Sequence, residues 1–311
     1  MRTAEQVVAE LRARGELWES QPGLVGLRGE ALELYERLAQ LARAAAEAAA
    51  DDGTVLADAC ERWRPPAAVA LSTLARARYF ESFPQWLTLA AHLREDAGSL
   101  ERVARAADPA RAAADACAPA GAALPPAVCY HVYAALAGQV LSAPRYVSAE
   151  GTCWRHEGDH LRPLARGWAF TMREAVCVGD EDAVAAFRAR GIERARVLAA
   201  TLSIDARLEE ATDPFFRPTA RGRELLQRLK GLKQELRLPV GADSVAAASF
   251  NLHERFFGEA FDIRLADGSP VASACVAFGI ERWLLAFLAA HGTSARAWPT
   301  IPSLVPPEVA A

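Results

Sequence analysis

The sequence predicts an α+β fold, in which an antiparallel β-sheet is flanked by helices. Strand-like segments are paired in hairpins instead of alternating singly with helices, which argues against a doubly wound parallel sheet. Long segments with apolar residues at helical spacing occupy much of the remainder. The chain has 311 residues, of which 52% are hydrophobic and 24% charged, so it can bury a large core. We expect one domain covering residues 1–311.

The first half is predicted to be mostly helical. Leu24–Ala50 is rich in strong helix formers, so residues 1–50 are interpreted as an N-terminal helical segment. Leu100–Ala118 predicts a second helix, interrupted at Pro109. Val128–Tyr133 carries β-branched and aromatic residues after a Pro-Pro pair and predicts a short strand.

The second half is predicted to contain two hairpins and three helices. An Asp-Gly turn favours the second hairpin, and a Gly after His291 favours the end of the last helix. The hairpins join Gly151–Glu157 to Gly167–Val178, and Ala260–Leu265 to Val271–Phe278. The helices are Asp180–Thr201, Thr219–Leu238 and Ile280–Ala290.

Composition and charge exclude several classes of protein. The 35 basic and 39 acidic residues give a formal net charge of -4, which does not suit duplex DNA. The apolar run Trp283–Ala290 is too short to span a membrane, and the N-terminus lacks the apolar core of a signal peptide. The six cysteines form no close CxxC pair. We therefore expect a reduced, cytoplasmic protein.

Phosphate chemistry in this chain would depend on arginine. The sequence has no GxxxxGK[ST] loop, no GxGxxG after a strand, and only two lysines. In the first hairpin, Arg155 and Glu157 are predicted on one face of a strand, with Phe170 and Arg173 on the returning strand. The planar fork of arginine suits phosphate oxygens, although such a pattern alone more often marks a surface ion pair.

A second arginine lies where a strand leads directly into a helix. Arg282 falls in the first helical turn, where a positive charge opposes the helix dipole. A bound anion would remove this conflict, because a helix N-terminus and an arginine both attract phosphate. Taken alone, a solvated arginine is the commoner interpretation of this position.

Cysteines and a basic segment complete the candidate features. Cys129, Cys153, Cys177 and Cys275 are all predicted on strands, where each alone is more often a small buried apolar residue, and no local spacing selects a zinc set. Residues 217–237 carry seven basic and two acidic side chains, with leucines at helical spacing. This segment predicts a helix with a basic outer face that suits an acidic partner.

Together these segments resemble the catalytic domain of class II aminoacyl-tRNA synthetases. Arg155-x-Glu157 with Phe170 and Arg173 resembles motif 2, and the stretch ending in Arg282 resembles the end of motif 3. The first long helix with the Pro65-Pro66 segment resembles motif 1, which implies a homodimer. The segments AVCYHVY, WRHE, FTMREAVCVG, ATDPFF, LKGLKQEL, SFNLHERFFGEAFDI and SACVAFGIERW resemble the amino acid:[carrier protein] ligases. These are truncated relatives of the zinc-dependent, methanogen-type seryl-tRNA synthetases.

The resemblance implies a role for each matching residue. Arg155 would clamp the ATP α-phosphate, Glu157 would read the adenine amino group, and Phe170 would stack on adenine. Arg173 would belong to the same ATP site, and Arg282 would hold the γ-phosphate; Arg155 and Arg282 would be the catalytic pair. Mg²⁺ would assist, with Glu259 and Glu281 as candidate ligands.

The resemblance also implies a zinc ion held by Cys129, Glu174 and Cys275. The fourth zinc position would stay open for the α-amino group of the substrate, which selects amino acids over plain carboxylic acids. Cys275 stands where most class II synthetases have a small residue, and the zinc-dependent branch has a cysteine there.

The implied function is ATP-dependent activation of a small amino acid, glycine or alanine, followed by transfer to a phosphopantetheine thiol. The acceptor would be an acidic holo-carrier protein docked on the basic helix through Arg221, Arg228, Lys230 and Lys233. About two dozen residues precede the motif 1 helix, so no tRNA-binding domain, and hence no tRNA partner, is expected. Two alternatives stay open: a tRNA-aminoacylating enzyme, and a non-catalytic paralogue that binds ATP or an amino acid. No general base for the thiol is identified.

Overall fold

A computed structural model describes residues 1–51, 60–212 and 231–301. Its helices are α1 (Ala4–Ala13), α2 (Gly29–Glu47), α3 (Leu71–Arg76), α4 (Tyr79–Ser82), α5 (Ala97–Arg105), α6 (Pro109–Asp115), α7 (Cys129–Leu136), α8 (Glu181–Thr201), α9 (Phe256–Phe261) and α10 (Ile280–His291). Its strands are β1 (Leu17–Gln21), β2 (Leu24–Leu27), β3 (Cys60–Trp63), β4 (Val69–Ala70), β5 (Leu89–Leu93), β6 (Cys117–Ala123), β7 (Val140–Leu141), β8 (Arg145–Trp154), β9 (Ala169–Gly179), β10 (Arg207–Glu210), β11 (Lys233–Val240), β12 (Asp243–Glu254), β13 (Arg264–Leu265) and β14 (Ala272–Gly279).

A seven-stranded sheet organises the described residues, with the order β10-β11-β12-β14-β9-β8-β3. All neighbours are antiparallel except β3, which runs parallel to β8 at one edge. This mixed sheet with flanking helices confirms the predicted α+β class. It also places β9 and β14 side by side at the centre, so that two segments far apart in sequence form one continuous surface.

The two faces of the sheet are covered by different elements. One face packs against α2, α8 and α10, and the side chains between them form the largest hydrophobic core, which includes Cys177, Phe250 and Phe278. Strand side chains alternate between faces, so residues one position away point to the opposite side. That side carries Glu174 and Cys275, and it is covered by α7 and α9 in place of the long helices.

A small three-stranded sheet, β4-β6-β5, forms a module beside the main sheet. Asp108 caps α6 by accepting a hydrogen bond from the Arg111 N–H, and Pro109 occupies the first helical turn, where its missing N–H costs nothing. The predicted helix break at Pro109 is therefore confirmed. Tyr79 and Phe83 of this module face the main sheet, where Tyr79 packs edge-on against Tyr130.

Several predicted elements are confirmed. The first hairpin is formed by β8 and β9, in register from Arg145 opposite Val178 to Trp154 opposite Ala169. Helix α8 begins after Asp180, whose side chain caps it, and α10 ends at His291 before a glycine with a φ of +91°. The pattern of apolar spacing and capping residues was sufficient to predict these elements.

The prediction of a strand at Val128–Tyr133 is wrong, because this segment begins helix α7. Its buried residues are Cys129, Val132, Tyr133 and Leu136, which follow the three-to-four residue spacing of a helix. The β-branched and aromatic composition of the segment concealed that spacing. Cys129 therefore lies at a helix start and not on a strand.

Three other boundaries also differ from the predictions. Leu24–Leu27 is a strand paired with β1, so residues 1–50 are not wholly helical. The second hairpin does not form as predicted: residues 260–261 end helix α9, β13 pairs with β7, and β14 pairs with β12 and β9. Residues 233–238 form part of β11 and not a helix, because Leu236, Leu238 and Val240 are buried at the two-residue spacing of a strand. Residues 219–230 of the predicted helix lie outside the described residues.

No helix in the described ranges is both long enough and apolar enough to cross a membrane.

Gly191 provides a test of the packing of α8 on the sheet. A Cβ at this position would lie 2.4 Å from Val276 Cγ2, inside the main core. We expect Gly191→Val to lower the free energy of unfolding by about 1–3 kcal/mol, because the packed core must shift to admit the new methyl groups. Denaturant unfolding measures this change.

Gly98→Val serves as the matched control. Gly98 is exposed near the start of α5, and the nearest atom to an added Cβ is 3.4 Å away. We expect a change within about 0.5 kcal/mol. Equal stability of the two variants would contradict the close packing of α8 against β14.

Candidate active site

A cavity of about 480 Å³ lies on the face of the sheet opposite the long helices. Strands β9, β12 and β14 form its floor, and the small module contributes Tyr79, Phe83 and Trp86 to its wall. The predicted site residues that line it are Cys129, Arg155, Glu157, Phe170, Glu174, Lys233, Cys275 and Arg282. The cavity therefore brings together residues that are far apart in the sequence and that were predicted separately to bind ATP and zinc.

The floor of the cavity is built by cross-strand register. Glu174 lies opposite Ala149 on one side and Ala277 on the other, and Ala277 lies opposite Ser249. These small neighbours leave space above the carboxyl group. In the adjacent row, Cys275 lies opposite Asn251. The Asn251 Nδ2 atom donates to the Cys275 sulfur over 3.4 Å.

The three predicted zinc ligands meet at the buried end of the cavity. A hydrogen bond to Cys275, followed by burial, raises the pKa of the Cys129 thiol well above its usual value. For Cys275 the hydrogen bond from Cys129 lowers the pKa, but burial and the nearby Glu174 charge outweigh it and the net shift is upward. Burial also raises the pKa of Glu174. All three pKa shifts are upward, because burial disfavours the charged form of an acidic group.

The donor set matches zinc by chemistry. Two thiols and a carboxyl group are among the ligands that zinc takes, and three protein ligands are typical of a catalytic site. Among the residues that the structure describes, however, no three His, Cys, Asp or Glu side chains are grouped as a metal site. Glu174 Oε2 instead accepts a hydrogen bond of 2.8 Å from the backbone N–H of Cys129. This hydrogen bond holds the Glu174 carboxyl group beside Cys129.

Arg155 lies between two aromatic rings at the side of the cavity. Its guanidinium carbon is 5.6 Å from the centre of the Trp86 ring and 5.4 Å from that of Phe170, both within cation–π range. Its Nε atom donates to the Pro126 carbonyl over 3.0 Å. These contacts hold a positive charge at the cavity wall, and within the described ranges no carboxylate is paired with it.

The interpretation that Arg155 and Glu157 share one face of a strand is wrong. Strand β8 ends at Trp154, and both residues lie in the connection that follows. Glu157 forms an ion pair with Arg166 across that connection, while its side chain still reaches the cavity. The loop, and not strand alternation, therefore positions this carboxylate.

Arg282 is half-buried at the start of α10 and is not the solvated residue that its sequence position alone suggested. Its Nε donates to the Ala165 carbonyl over 2.8 Å, and its Nη1 donates to the Ala246 carbonyl over 2.9 Å. Burial lowers the pKa of Arg282 to about 10, and the nearby charge of Arg155 acts in the same direction. Two arginines thus concentrate positive charge in one cavity, an arrangement suited to an anion.

The placement of Arg173 in the ATP site is wrong. Met172 and Glu174, its neighbours on β9, line the cavity, so Arg173 points to the opposite face. There its Nη2 donates to Glu150 over 3.1 Å. Arg173 therefore has a structural role on the helix-packed side of the sheet.

The predicted docking residues are only partly described. Arg221, Arg228 and Lys230 lie outside the described residues. Lys233 is the first residue of β11, and its Nζ atom is 3.5 Å from Glu235 in the cavity lining. It does not lie on the outer face of a helix, so its assignment to a docking helix is wrong.

Sequence reasoning missed Asn251 and His253 among the polar residues of the cavity, whereas Glu281 was a candidate Mg²⁺ ligand. Asn251 and His253 line it from β12, and their two-residue spacing in SFNLHE was the available signal. Glu281 also lines it, with both carboxyl oxygens accepting from the Thr171 N–H; burial raises the pKa of Glu281 to about 7. Glu259, the other candidate ligand for Mg²⁺, is exposed on α9 and is not part of the cavity lining.

Comparison with solved structures shows which fold this is. Methanopyrus kandleri seryl-tRNA synthetase, in a complex with Aquifex aeolicus tRNASec, superposes with a TM-score of 0.83 at 21% identity, over 96% of this chain. The Pyrococcus horikoshii enzyme complexed with ATP gives 0.64 at 13% identity. The chain spans about three fifths of the length of these synthetases, 60% and 59%. The predicted class II synthetase-like fold is confirmed.

Comparison with curated proteins identifies the family within this fold. No protein-family model matches the chain. Type-2 serine–tRNA ligase of Methanocaldococcus jannaschii is 30% identical over 57% of this chain and 36% of its own length. Amino acid–[acyl-carrier-protein] ligase 1 of Bradyrhizobium diazoefficiens is 33% identical over 270 residues, which are 86% of this chain and 79% of that protein. Ligase 2 of the same organism is 35% identical over 77% and 72%.

With this identity over most of both sequences, and the class II fold beneath it, the chain belongs to the family of amino acid–[acyl-carrier-protein] ligases.

Proposed function

We propose that the chain activates a small amino acid, glycine or alanine, with ATP and transfers it to the phosphopantetheine thiol of a carrier protein. The observation that carries this proposal is the single cavity that collects Arg155, Phe170, Arg282 and the Cys129–Glu174–Cys275 cluster. An adenylate-forming enzyme needs anion-binding, ring-stacking and amino-group-binding elements side by side. The family relatives named for acyl-carrier-protein ligation support the acceptor.

The reaction has two steps. In the first, an oxygen of the amino acid carboxylate attacks the α-phosphorus of ATP, and the bond to pyrophosphate breaks. In the second, the thiol sulfur attacks the carbonyl carbon of the aminoacyl adenylate; AMP leaves and the thiol proton is released. Arg155 and Arg282 stabilise the negative charge that develops on the phosphates, together with Mg²⁺. Most of the acceleration comes from holding the reactants in alignment.

Arg155 and the ring proposed to stack on adenine are neighbours. The Arg155 guanidinium carbon lies 5.4 Å from the centre of the Phe170 ring. An adenine base stacked on Phe170 would therefore lie close to the arginine proposed to bind the α-phosphate.

Cys129, Glu174 and Cys275 are the residues that would hold zinc. A zinc ion at this place would supply a Lewis acid with an open position for the α-amino group, which would select amino acids. Zinc would also balance the buried carboxylate and thiolates, whose raised pKa values show the cost of charge at this place. The two buried cysteines and the glutamate thus match the chemistry of the proposed ion.

The basic insert, about residues 213–238, is proposed to dock the carrier protein. Leu232 and Lys233, which belong to the described part of this segment, line the cavity. The basic residues Arg221, Arg228 and Lys230 would attract an acidic carrier by charge complementarity. We further propose a homodimer formed through the segment that resembles motif 1. A tRNA acceptor and a non-catalytic paralogue remain the competing hypotheses.

Exchange of labelled pyrophosphate into ATP, measured with each standard amino acid in turn, tests the first step. We expect exchange with glycine or alanine and little with larger amino acids. Absence of exchange with every amino acid would contradict the proposed function and support the non-catalytic paralogue.

Arg282→Lys tests the phosphate site. Lysine keeps the charge but cannot reproduce the planar fork, so we expect the KM for ATP to rise at least about tenfold while the KM for the amino acid changes little. Arg173→Lys is the matched control, since it alters another half-buried arginine that faces away from the cavity. Similar ATP kinetics for the two variants would remove Arg282 from the nucleotide site.

Cys275→Ala tests the proposed metal site. We expect the purified variant to lose bound zinc, measured by elemental mass spectrometry, together with pyrophosphate exchange. Cys177→Ala is the control, because Cys177 is equally buried but packs on the helix side of the sheet. A Cys275→Ala protein that still activates glycine without metal would refute the role of zinc.

A further inference from the structure

His253 occupies a specialised place in the cavity that the two reaction steps do not use. Leu252 lies opposite Ala274, and Glu254 lies opposite Ser273, so His253 is the extra residue of a β-bulge. The backbone of Glu254 has a φ of +50°, in the left-handed region, as the strand bends. His253 lies two residues after Asn251, and both side chains line the cavity; the bulge that follows Leu252 ends the regular pairing with β14 at this point.

The imidazole is held on several sides. Its Nδ1 atom is 3.1 Å from the Tyr133 hydroxyl and 3.3 Å from the Ser273 hydroxyl. The Phe257 ring meets it edge to face, with centres 4.9 Å apart. Phe257 is itself stacked on Tyr133 with centres 4.0 Å apart. The ring therefore forms a fixed wall and not a side chain that can move aside without losing these contacts.

The wall stands beside the place proposed for the amino group of the substrate. His253 Nε2 lies 3.8 Å from the Cys275 sulfur. An amino acid anchored by its nitrogen near Cys275 has its α-carbon one bond further on, and its side chain branches from that carbon. The volume filled by the imidazole is thus volume that a larger side chain would need.

We infer that His253 sets the upper limit on the size of the amino acid that the enzyme activates. This inference rests on the proposed function and adds the residue that determines its specificity. An apolar pocket separates substrates that differ by one methylene group by about 10- to 200-fold. A fixed ring that leaves no room for the extra group would exclude it by steric conflict, while glycine fits beside it.

His253→Ala is the direct test, with ATP–pyrophosphate exchange measured on glycine, alanine, serine and 2-aminobutyrate. We expect kcat/KM for serine or 2-aminobutyrate, relative to glycine, to rise at least about tenfold. His131→Ala is the matched control: it removes an imidazole from helix α7, where His131 lines a separate cavity. Its amino acid preference should equal that of the unmodified chain.

His253→Phe separates volume from hydrogen bonding. Phenylalanine keeps a ring in place but cannot bond to the Tyr133 hydroxyl, so we expect it to retain the preference for glycine. An unchanged preference in an active His253→Ala variant would overturn the inference. Equal loss of glycine activation in His253→Ala and His253→Phe would also overturn the inference. The imidazole would then be needed for activation itself, through its contact with Cys275, and not for its volume. If the unmodified chain activates no amino acid, the proposed function itself fails, and the inference with it.

Discussion

The two-residue alternation of the central strands is the constraint on which the site depends. On β9 and β14 it places Cys177 and Phe278 in the core against the long helices, and Glu174 and Cys275 in the cavity. A shift of one residue in either strand would exchange these sets and bury polar groups among the core residues. The extensive apolar packing on one face therefore fixes the chemistry on the other.

The resemblance to a known family, more than local patterns, indicated which residues line the cavity. Apolar periodicity and capping residues predicted the β8–β9 hairpin, α8 and α10. They missed the helix at Cys129, because its β-branched and aromatic residues obscured a helical burial pattern. Arg173 was assigned to the wrong face because resemblance matches positions, whereas side-chain direction depends on register. His253 was missed although it lies two residues after Asn251, because spacing alone does not show which face of a strand borders a cavity.

The cavity contains ionisable side chains whose charged forms are disfavoured by burial. Arg282 has a lowered pKa, while Glu174 and Glu281 have raised ones, and in each case burial is the main cause. Such groups weaken a fold unless a ligand offsets their desolvation. ATP would balance the arginines, and zinc would balance the thiols and Glu174. The buried charged groups of the cavity are therefore of the kind that bound ATP and zinc would stabilise.

Intact-mass spectrometry of an acidic holo-carrier protein tests the central claim most directly. The carrier, bearing its phosphopantetheine group, would be incubated with the enzyme, ATP, Mg²⁺ and glycine or alanine. The account predicts a mass gain equal to one aminoacyl group, which hydroxylamine removes as expected for a thioester. Activation of the amino acid without any gain on the carrier, but with transfer to tRNA, would contradict it.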